Sequence, residues 1–215
     1  MAEKCYKCFR PIKSCYCKYI VPVKTSVKFV FLMHPKEAYK QKTGTGRLAS
    51  LSLPGSEIII GVDFTKNTRV LELLSDSTYY PVLMYPDKNA WTAQKEGFKA
   101  AIGNKKLLVF LVDATWFFAK KMLRLSPNLH SIPKVSFTAG YRSQYTFKTQ
   151  PAKECLSTIE TCYYLLNELQ AGSIIPKTDT EPLMSIFHRL VNYQLESEKQ
   201  RQASGQPSRY SKVLS

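Results

Sequence analysis

The stretch Leu107-Leu108-Val109-Phe110-Leu111-Val112-Asp113-Ala114-Thr115-Trp116 decides the fold class of this chain. Its first six residues form an unbroken apolar run, which is typical of a strand buried on both faces of a parallel sheet. A helical pattern follows over residues 117–125. Asp113, Thr115 and Trp116 therefore stand at the carboxyl end of a central strand, which is the edge where open α/β sheets bind ligands.

Two interpretations of this junction are open. A helix amino terminus favours anionic groups, so Asp113, Thr115 and Trp116 are candidates for a ligand site. The alternative is structural, with Asp113 as the N-cap of the helix and Trp116 as an anchor in the core. The local pattern does not decide between them.

The rest of the chain alternates between strand and helix patterns. The predicted strands cover residues 27–33, 57–60, 80–85 and 107–112, and the predicted helices cover residues 48–53, 69–74, 117–125, 151–170 and 182–201. A basic loop with two glycines is predicted between the first strand and the first helix. This alternation predicts an α/β fold with a largely parallel sheet.

We predict three segments and one sizeable core for the 215 residues. Residues 1–22 form a segment with four cysteines, residues 23–202 form the main domain, and residues 203–215 form a polar tail. The sequence shows neither a signal-peptide core nor a run of about 20 apolar residues. We therefore expect a cytoplasmic protein (or a nuclear one in a eukaryote) that is monomeric and does not enter a membrane.

The charge of the chain indicates a polyanionic partner. Its 31 Lys and Arg residues against 16 Asp and Glu residues give a formal net charge of +15 at pH 7. Such an excess favours nucleic acid over an acidic small molecule. A basic, solvated surface without a specific partner is the alternative, and the clustering of charge near the candidate site speaks against it.

The amino-terminal cysteines predict a zinc site. Cys5, Cys8, Cys15 and Cys17 place four thiols within thirteen positions, and structural zinc takes four such ligands tetrahedrally. A segment this short cannot build its own core, so metal binding would supply its folding energy. Two disulfides are the competing interpretation, which the absence of a secretory signal disfavours. Four thiols leave no open position for a substrate, so the metal is expected to be structural.

Basic residues next to glycines and tyrosines indicate RNA. The loop over residues 43–47 resembles a phosphate-binding loop but lacks the spacing of a P-loop, so it is better suited to an RNA backbone. An ordinary loop before a helix is the alternative. Arg142, between Tyr141 and Tyr145, offers the mixture of cation and aromatic rings that holds single-stranded nucleic acid.

Taken together, the chain resembles the DTW-domain family of tRNA-uridine aminocarboxypropyltransferases. The resemblance covers nearly the whole chain except the last dozen residues. The motifs that carry it, in order, are Cys5-Tyr6-Lys7-Cys8 with Cys15-Tyr16-Cys17, Met33-His34-Pro35, Thr43-Gly44-Thr45-Gly46-Arg47-Leu48, Tyr85-Pro86-Asp87, Asp113-x-Thr115-Trp116 with Ala119 and Lys121, and Leu156-Ser157-Thr158-Ile159-Glu160.

The resemblance implies both a fold and a reaction. The fold would be a SPOUT-like, deeply knotted sheet flanked by helices, which no periodicity could show. The reaction would transfer the 3-amino-3-carboxypropyl group of S-adenosylmethionine to N3 of a uridine in tRNA and release methylthioadenosine. Asp113 would be the catalytic residue that takes the imide proton, or it would hold the cationic donor, a role that Glu160 could also fill.

The resemblance also implies binding residues. The implied donor contacts are Pro86, Thr115, Trp116, Ser157, Thr158 and Glu160. The implied tRNA contacts are Lys36, Lys40, Lys42, Arg47, Lys120, Lys121 and Arg142, with the zinc segment extending that surface. Two rivals remain: a SPOUT-type RNA methyltransferase, and a zinc-containing RNA-binding protein without catalysis.

Overall fold

A parallel sheet of five strands, with helices on both faces, is formed by the residues that the computed structural model describes: 3–40, 43–138, 140–145 and 155–208. The strands are β1 (Lys28–Met33), β2 (Glu57–Ile60), β3 (Tyr79–Met84), β4 (Lys106–Asp113) and β5 (Lys134–Val135), in the order β2-β1-β4-β3-β5. The helices are α1 (Pro35–Lys40), α2 (Gly46–Ser52), α3 (Thr68–Ser75), α4 (Phe98–Ile102), α5 (Trp116–Leu125), α6 (Thr158–Ala171) and α7 (Glu181–Ala203).

The alternation of side chains along β4 explains the three layers. Val109 and Leu111 face one side and pack with residues of α2, α6 and α7, whereas Leu108 and Phe110 face the other side and pack with residues of α3 and α5. Both faces of the strand are therefore covered, as its unbroken apolar sequence predicts. Asp113 has the same parity as Val109 and Leu111, so its side chain points toward α2 and α6.

The strand order creates a switch point between β1 and β4. From β1 the chain moves outward to β2 on one side, and from β4 it passes β3 to reach β5 on the other. The carboxyl ends of β1 and β4 lie side by side, because Met33 is in register with Asp113 and the His34 amide donates to the Asp113 carbonyl at 3.0 Å. Open α/β sheets bind ligands in the crevice at such a point.

The sequence predictions are confirmed for the α/β class and for most elements. The four predicted strands agree with β1 to β4 within one residue at each end. Helix α1 occupies part of the predicted basic loop, and α4 and the two-residue β5 were not predicted. The SPOUT-like knot and the division into three segments stay predictions.

The start of the predicted helix over 151–170 was wrong. Residues 151–154 lie outside the described residues, residues 155–157 are not helical, and α6 begins at Thr158. Ser157 is the N-cap, and its amide donates to the Glu160 carboxylate at 2.8 Å. This capping bond starts the helix downstream of Pro151.

Helix α7 agrees with the predicted helix over 182–201 within two residues, and the last part of the polar tail, residues 209–215, lies outside the described residues. Among the described residues, no helix combines the length and the apolar composition that crossing a bilayer requires.

Candidate active site and metal centre

The Asp113 carboxylate lies between the first turns of α2 and α6. It is only 8% exposed, and its Oδ1 accepts a hydrogen bond from the Thr158 hydroxyl at 2.7 Å. The Thr158 amide donates to the Thr45 hydroxyl at 3.0 Å, so the two helix starts are joined beside the carboxylate. Amino ends of helices carry partial positive charge, which suits a carboxylate held at this position.

Glycine at position 46 is required by the close approach of Asp113. A Cβ atom built on Gly46 would lie 2.0 Å from Asp113 Oδ2 and 2.6 Å from its Cγ. Contacts that short cannot exist, so any side chain at this position must displace the carboxylate or the helix. Gly46, the first residue of α2, therefore leaves the space that the Asp113 carboxylate occupies, in addition to any role with RNA.

With Asp113 as the predicted catalytic residue, we expect Gly46→Ala to lower activity by about 100-fold, because a misplacement of roughly 1 Å at a reacting group costs that much. Overpacking should also lower the free energy of unfolding by about 1–3 kcal/mol. The matched control is Gly140→Ala, because a Cβ at Gly140 meets no atom within 4 Å among the described residues. Thermal unfolding and initial rates would be measured for both variants, and equal behaviour of the two would contradict this account of Gly46.

Glu160 and Glu168 of α6 accept hydrogen bonds from the stretch of chain between β5 and α6. The fully buried Glu160 accepts hydrogen bonds from the Ser143 hydroxyl at 2.7 Å and the Gln144 amide at 2.6 Å. Two turns further along, Glu168 accepts from the Thr138 amide at 3.0 Å and the Tyr141 hydroxyl at 3.0 Å. Glu160 therefore has a structural role in this chain, and its direct contact with a donor stays a prediction.

The start of α5 is open toward solvent beside Asp113. Thr115 is the N-cap of α5, its side chain makes no capping bond within the described residues, and it is exposed. Trp116 is 37% exposed and its ring lies 6.4 Å from that of Tyr85, which precedes the exposed Pro86. The structural alternative for this junction was therefore wrong, since Asp113 is not the cap of α5 and Trp116 is not a core anchor.

His34 lies at this edge, directly after β1, and was not among the predicted site residues. Its ring is 7% exposed and stacks on Phe118 at 4.3 Å, and its Nδ1 accepts from the Lys36 amide at 3.1 Å. Burial, with smaller effects of the Lys36 and Lys121 charges, holds the pKa of His34 below its usual value. The imidazole is therefore neutral at pH 7. The signal that could have found it is its position directly after β1, the neighbour of β4.

The buried thiol of Cys162 lies close enough to Asp113 for the negative charge of Asp113 to affect the pKa of the thiol. Burial is the larger cause that raises the pKa of Cys162, and the negative charge of Asp113 raises it further. The thiol therefore stays protonated at neutral pH. This agrees with the place of Cys162 in the main core cluster.

Most of the basic residues expected to bind tRNA lie on the surface. Exposed positions are Lys36, Lys40, Lys120, Lys121 and Arg142, and Arg47 is half-buried. Lys36 and Lys121 both influence His34, so they belong to the carboxyl edge of the sheet. Lys42 lies outside the described residues.

The four amino-terminal thiols converge as a metal centre requires. All four Sγ atoms lie within 4.8 Å of one another, with 3.8 Å between those of Cys5 and Cys17 and 3.7 Å between those of Cys8 and Cys15. Zinc–sulfur bonds of about 2.3 Å in a tetrahedron place the sulfurs roughly 3.8 Å apart. A disulfide would need about 2.05 Å, and all four cysteines are free thiols. The donor set therefore fits zinc.

The described part of the cysteine segment (residues 1–22), from Glu3 onward, packs against the main domain through contacts between cations and aromatic rings. The Arg47 guanidinium lies 4.2 Å from the centre of the Phe9 ring, and the backbone of Phe9 has a φ of 58°. A bulky residue rarely adopts this left-handed conformation, so the turn after Cys8 is held by its surroundings. Cys5 and Cys8 belong to the main core cluster. The segment is therefore joined to the domain through the residue next to Gly46.

At the level of class, the chain is a three-layer α/β protein whose polar residues meet at the switch point of a parallel sheet. The model of the DTW domain matches residues 2–195, and the chain belongs to the DTW domain family.

Relatives with established names support the same family. The chain is 32% identical to the Drosophila melanogaster protein named tRNA-uridine aminocarboxypropyltransferase 2, over 91% of this chain and 76% of that protein. It is 27% identical to the proteins of the same name from Mus musculus and Macaca fascicularis, over 85% of this chain and 62% of each relative. The chain thus spans less than two thirds of the two mammalian proteins. No solved structure matches the chain significantly.

Proposed function

We propose that this chain is a tRNA-uridine aminocarboxypropyltransferase, which moves the 3-amino-3-carboxypropyl group of S-adenosylmethionine to N3 of a uridine. Family membership and the names of the relatives support the reaction. The observation that carries the site is the buried Asp113 carboxylate, held at the switch point by Thr158 and in contact with Gly46.

The reaction needs a base and a held electrophile. The donor supplies a methylene carbon next to a cationic sulfur. N3 of uridine forms a bond to that carbon, the carbon–sulfur bond breaks with its electron pair left on sulfur, and the N3 proton must leave. Asp113 is placed to accept this proton, and Thr158 fixes the orientation of the carboxylate.

The start of α5 suits the anionic end of the donor. Its first turn contains no acidic residue among the described ones, and Thr115 leaves the first amides uncapped. Such amides bind carboxylates well. Trp116 with Tyr85, next to Pro86, forms an exposed aromatic border for flat groups, and Ser157 and Thr158 complete the site from the α6 side.

We assign zinc a structural role and tRNA the role of substrate. Cys5, Cys8, Cys15 and Cys17 would hold the metal, which would fix the segment that contacts Arg47. Lys36, Lys40, Lys120, Lys121, Arg142 and Arg47, together with Lys42, would bind tRNA phosphates. We further propose that the enzyme is cytoplasmic and acts as a monomer.

A double-label experiment tests this function. Purified chain is incubated with unmodified tRNA and S-adenosylmethionine that carries one isotope in the carboxyl group and another in the methyl group. We expect the carboxyl label to enter tRNA and the methyl label to leave as methylthioadenosine. Entry of the methyl label alone would make the chain a methyltransferase, and tRNA binding without entry of either label would leave a non-catalytic RNA-binding protein.

A further inference from the structure

A groove separates the cysteine segment from α7. Its volume is about 120 Å³. Its charged and aromatic lining includes Arg10, Lys13, Lys18, Arg189, Tyr19 and Tyr193. We call it the α7 groove. It is well below the roughly 300–1,000 Å³ of pockets that enclose a small molecule, so it suits a flat group laid against its surface rather than a whole enclosed ligand.

Basic side chains dominate the charged lining of the α7 groove. Four of its lining residues are Lys or Arg, and none of its lining residues among those described is Asp or Glu. Such a concentration of one sign in a concave surface attracts an anion and raises its local concentration.

Its two tyrosines present open aromatic surface. Tyr19 is 40% exposed and Tyr193 is 44% exposed. The guanidinium of Arg189 lies 3.2 Å from the centre of the Tyr19 ring, and that of Arg10 lies 5.4 Å from the centre of the Tyr193 ring. The Lys18 ammonium also lies 5.0 Å from the centre of the Tyr19 ring, so both rings are held in place by cations. Base stacking on such rings, next to cations that contact the backbone, is how proteins hold unpaired nucleotides.

We propose that the α7 groove binds an unpaired nucleotide of the tRNA substrate, with Lys18 and Arg189 contacting phosphate and the tyrosines contacting the base. This inference rests on the proposed function for the identity of the RNA. The groove is connected to the candidate active site through the cysteine segment, because Phe9 contacts Arg47 and the adjacent Gly46 lies against Asp113. A tRNA bound at Asp113 would therefore have a second contact on the same molecule.

An acidic protein would match the charge of the groove but not its exposed rings. Carboxylates are satisfied by cations alone, whereas flat bases use both the cations and the aromatic faces. The aromatic surface therefore favours RNA, and the test separates the two.

The test compares two double variants that remove the same charge. Lys18→Gln/Arg189→Gln removes two cations from the groove, and Lys105→Gln/Lys106→Gln removes two exposed cations at the amino end of β4, on the opposite edge of the sheet. Binding of unmodified tRNA is measured without donor over a range of salt concentrations. Zinc content and thermal unfolding are measured for every variant.

We expect the groove variant to raise the Kd for tRNA by about tenfold or more and the control to raise it by less than about threefold. The slope of log Kd against log salt should fall by about 1.4 in the groove variant, at about 0.7 for each phosphate contact with a single strand. Equal effects of the two variants, or no effect of either, would overturn the proposal. An acidic protein would then be the better candidate for the partner that binds the groove.

A second groove variant controls for unfolding of the cysteine segment. Because Arg189 packs on Tyr19, its removal could release zinc, and Lys13→Gln/Lys18→Gln then replaces two exposed side chains instead. It should raise the Kd by about fivefold. The binding assay does not depend on catalysis. If the wild type forms product while the groove variants bind tRNA normally, only the proposal for the groove is overturned. If the wild type binds tRNA but forms no product, only the proposed transferase function is overturned.

Discussion

Asp113→Asn is expected to lower the rate of product formation by about 10²–10⁴-fold, the contribution of a positioned general base. The amide keeps the size of the carboxylate and can still accept from Thr158, so the fold should persist. Affinity for tRNA should change by less than about twofold, because the Asp113 side chain is buried and is not among the residues assigned to phosphate contacts. The variant removes a proton acceptor at the switch point without creating a cavity.

The same variant separates the two roles open to Asp113. If Asp113 acts as the base, kcat should fall in Asp113→Asn while the Kd for S-adenosylmethionine stays within about threefold of the wild type, because binding of the donor does not require a proton acceptor. A residue that holds the cationic sulfur predicts a large rise in that Kd. Asp76→Asn is the control, because Asp76 is exposed in the turn before the amino end of β3, whereas the site lies at the carboxyl ends of the strands. Full activity of Asp113→Asn would contradict both roles.

Cys8→Ser is expected to abolish zinc binding and to lower the free energy of unfolding by about 4 kcal/mol or more, as the loss of a structural metal does. For a chain of this size, that corresponds to a fall in Tm of roughly 10 °C. The effect is large because Cys5 and Cys8 are buried in the main core, so the segment cannot detach without exposing that core. Metal analysis and calorimetry measure the two effects.

The control for the metal centre is Cys155→Ser, which replaces a half-buried thiol outside the four-cysteine cluster. It should keep one zinc per chain and the wild-type Tm within about 2 °C. A chelator should reproduce the Cys8→Ser result, whereas a reductant should have no effect. Destabilisation by the reductant, with no bound metal, would instead mean disulfides.

The sequence predicts the sheet well because the predicted strands β1 to β4 can be recognised from their own local apolar pattern. The apolar run that becomes β4 is buried on both faces, and parallel central strands need that pattern. Asp113 could be singled out for the same reason, since the first polar residue after such a strand lies at its carboxyl edge. The four cysteines are equally readable, because their close spacing brings the thiols together.

The partners of Asp113 could not be read from periodicity. Thr158 lies 45 residues after Asp113 along the chain and Gly46 lies 67 residues before it, so only the folded packing of α2 and α6 brings the three residues together. The short strand β5 has two residues and no pattern of its own. The late start of α6 depends on a capping bond of Glu160, whose carboxylate also holds Gln144. Such tertiary choices override local propensity.

The most direct test of the site is a crystal structure of the chain with methylthioadenosine and a uridine-containing fragment of tRNA. The account predicts the sulfur of the spent donor and N3 of the uridine at the carboxyl ends of β1 and β4, with Asp113 within hydrogen-bond distance of N3 and the α7 groove occupied only by RNA. Methylthioadenosine bound at another edge of the sheet, with Asp113 touching neither ligand, would contradict it.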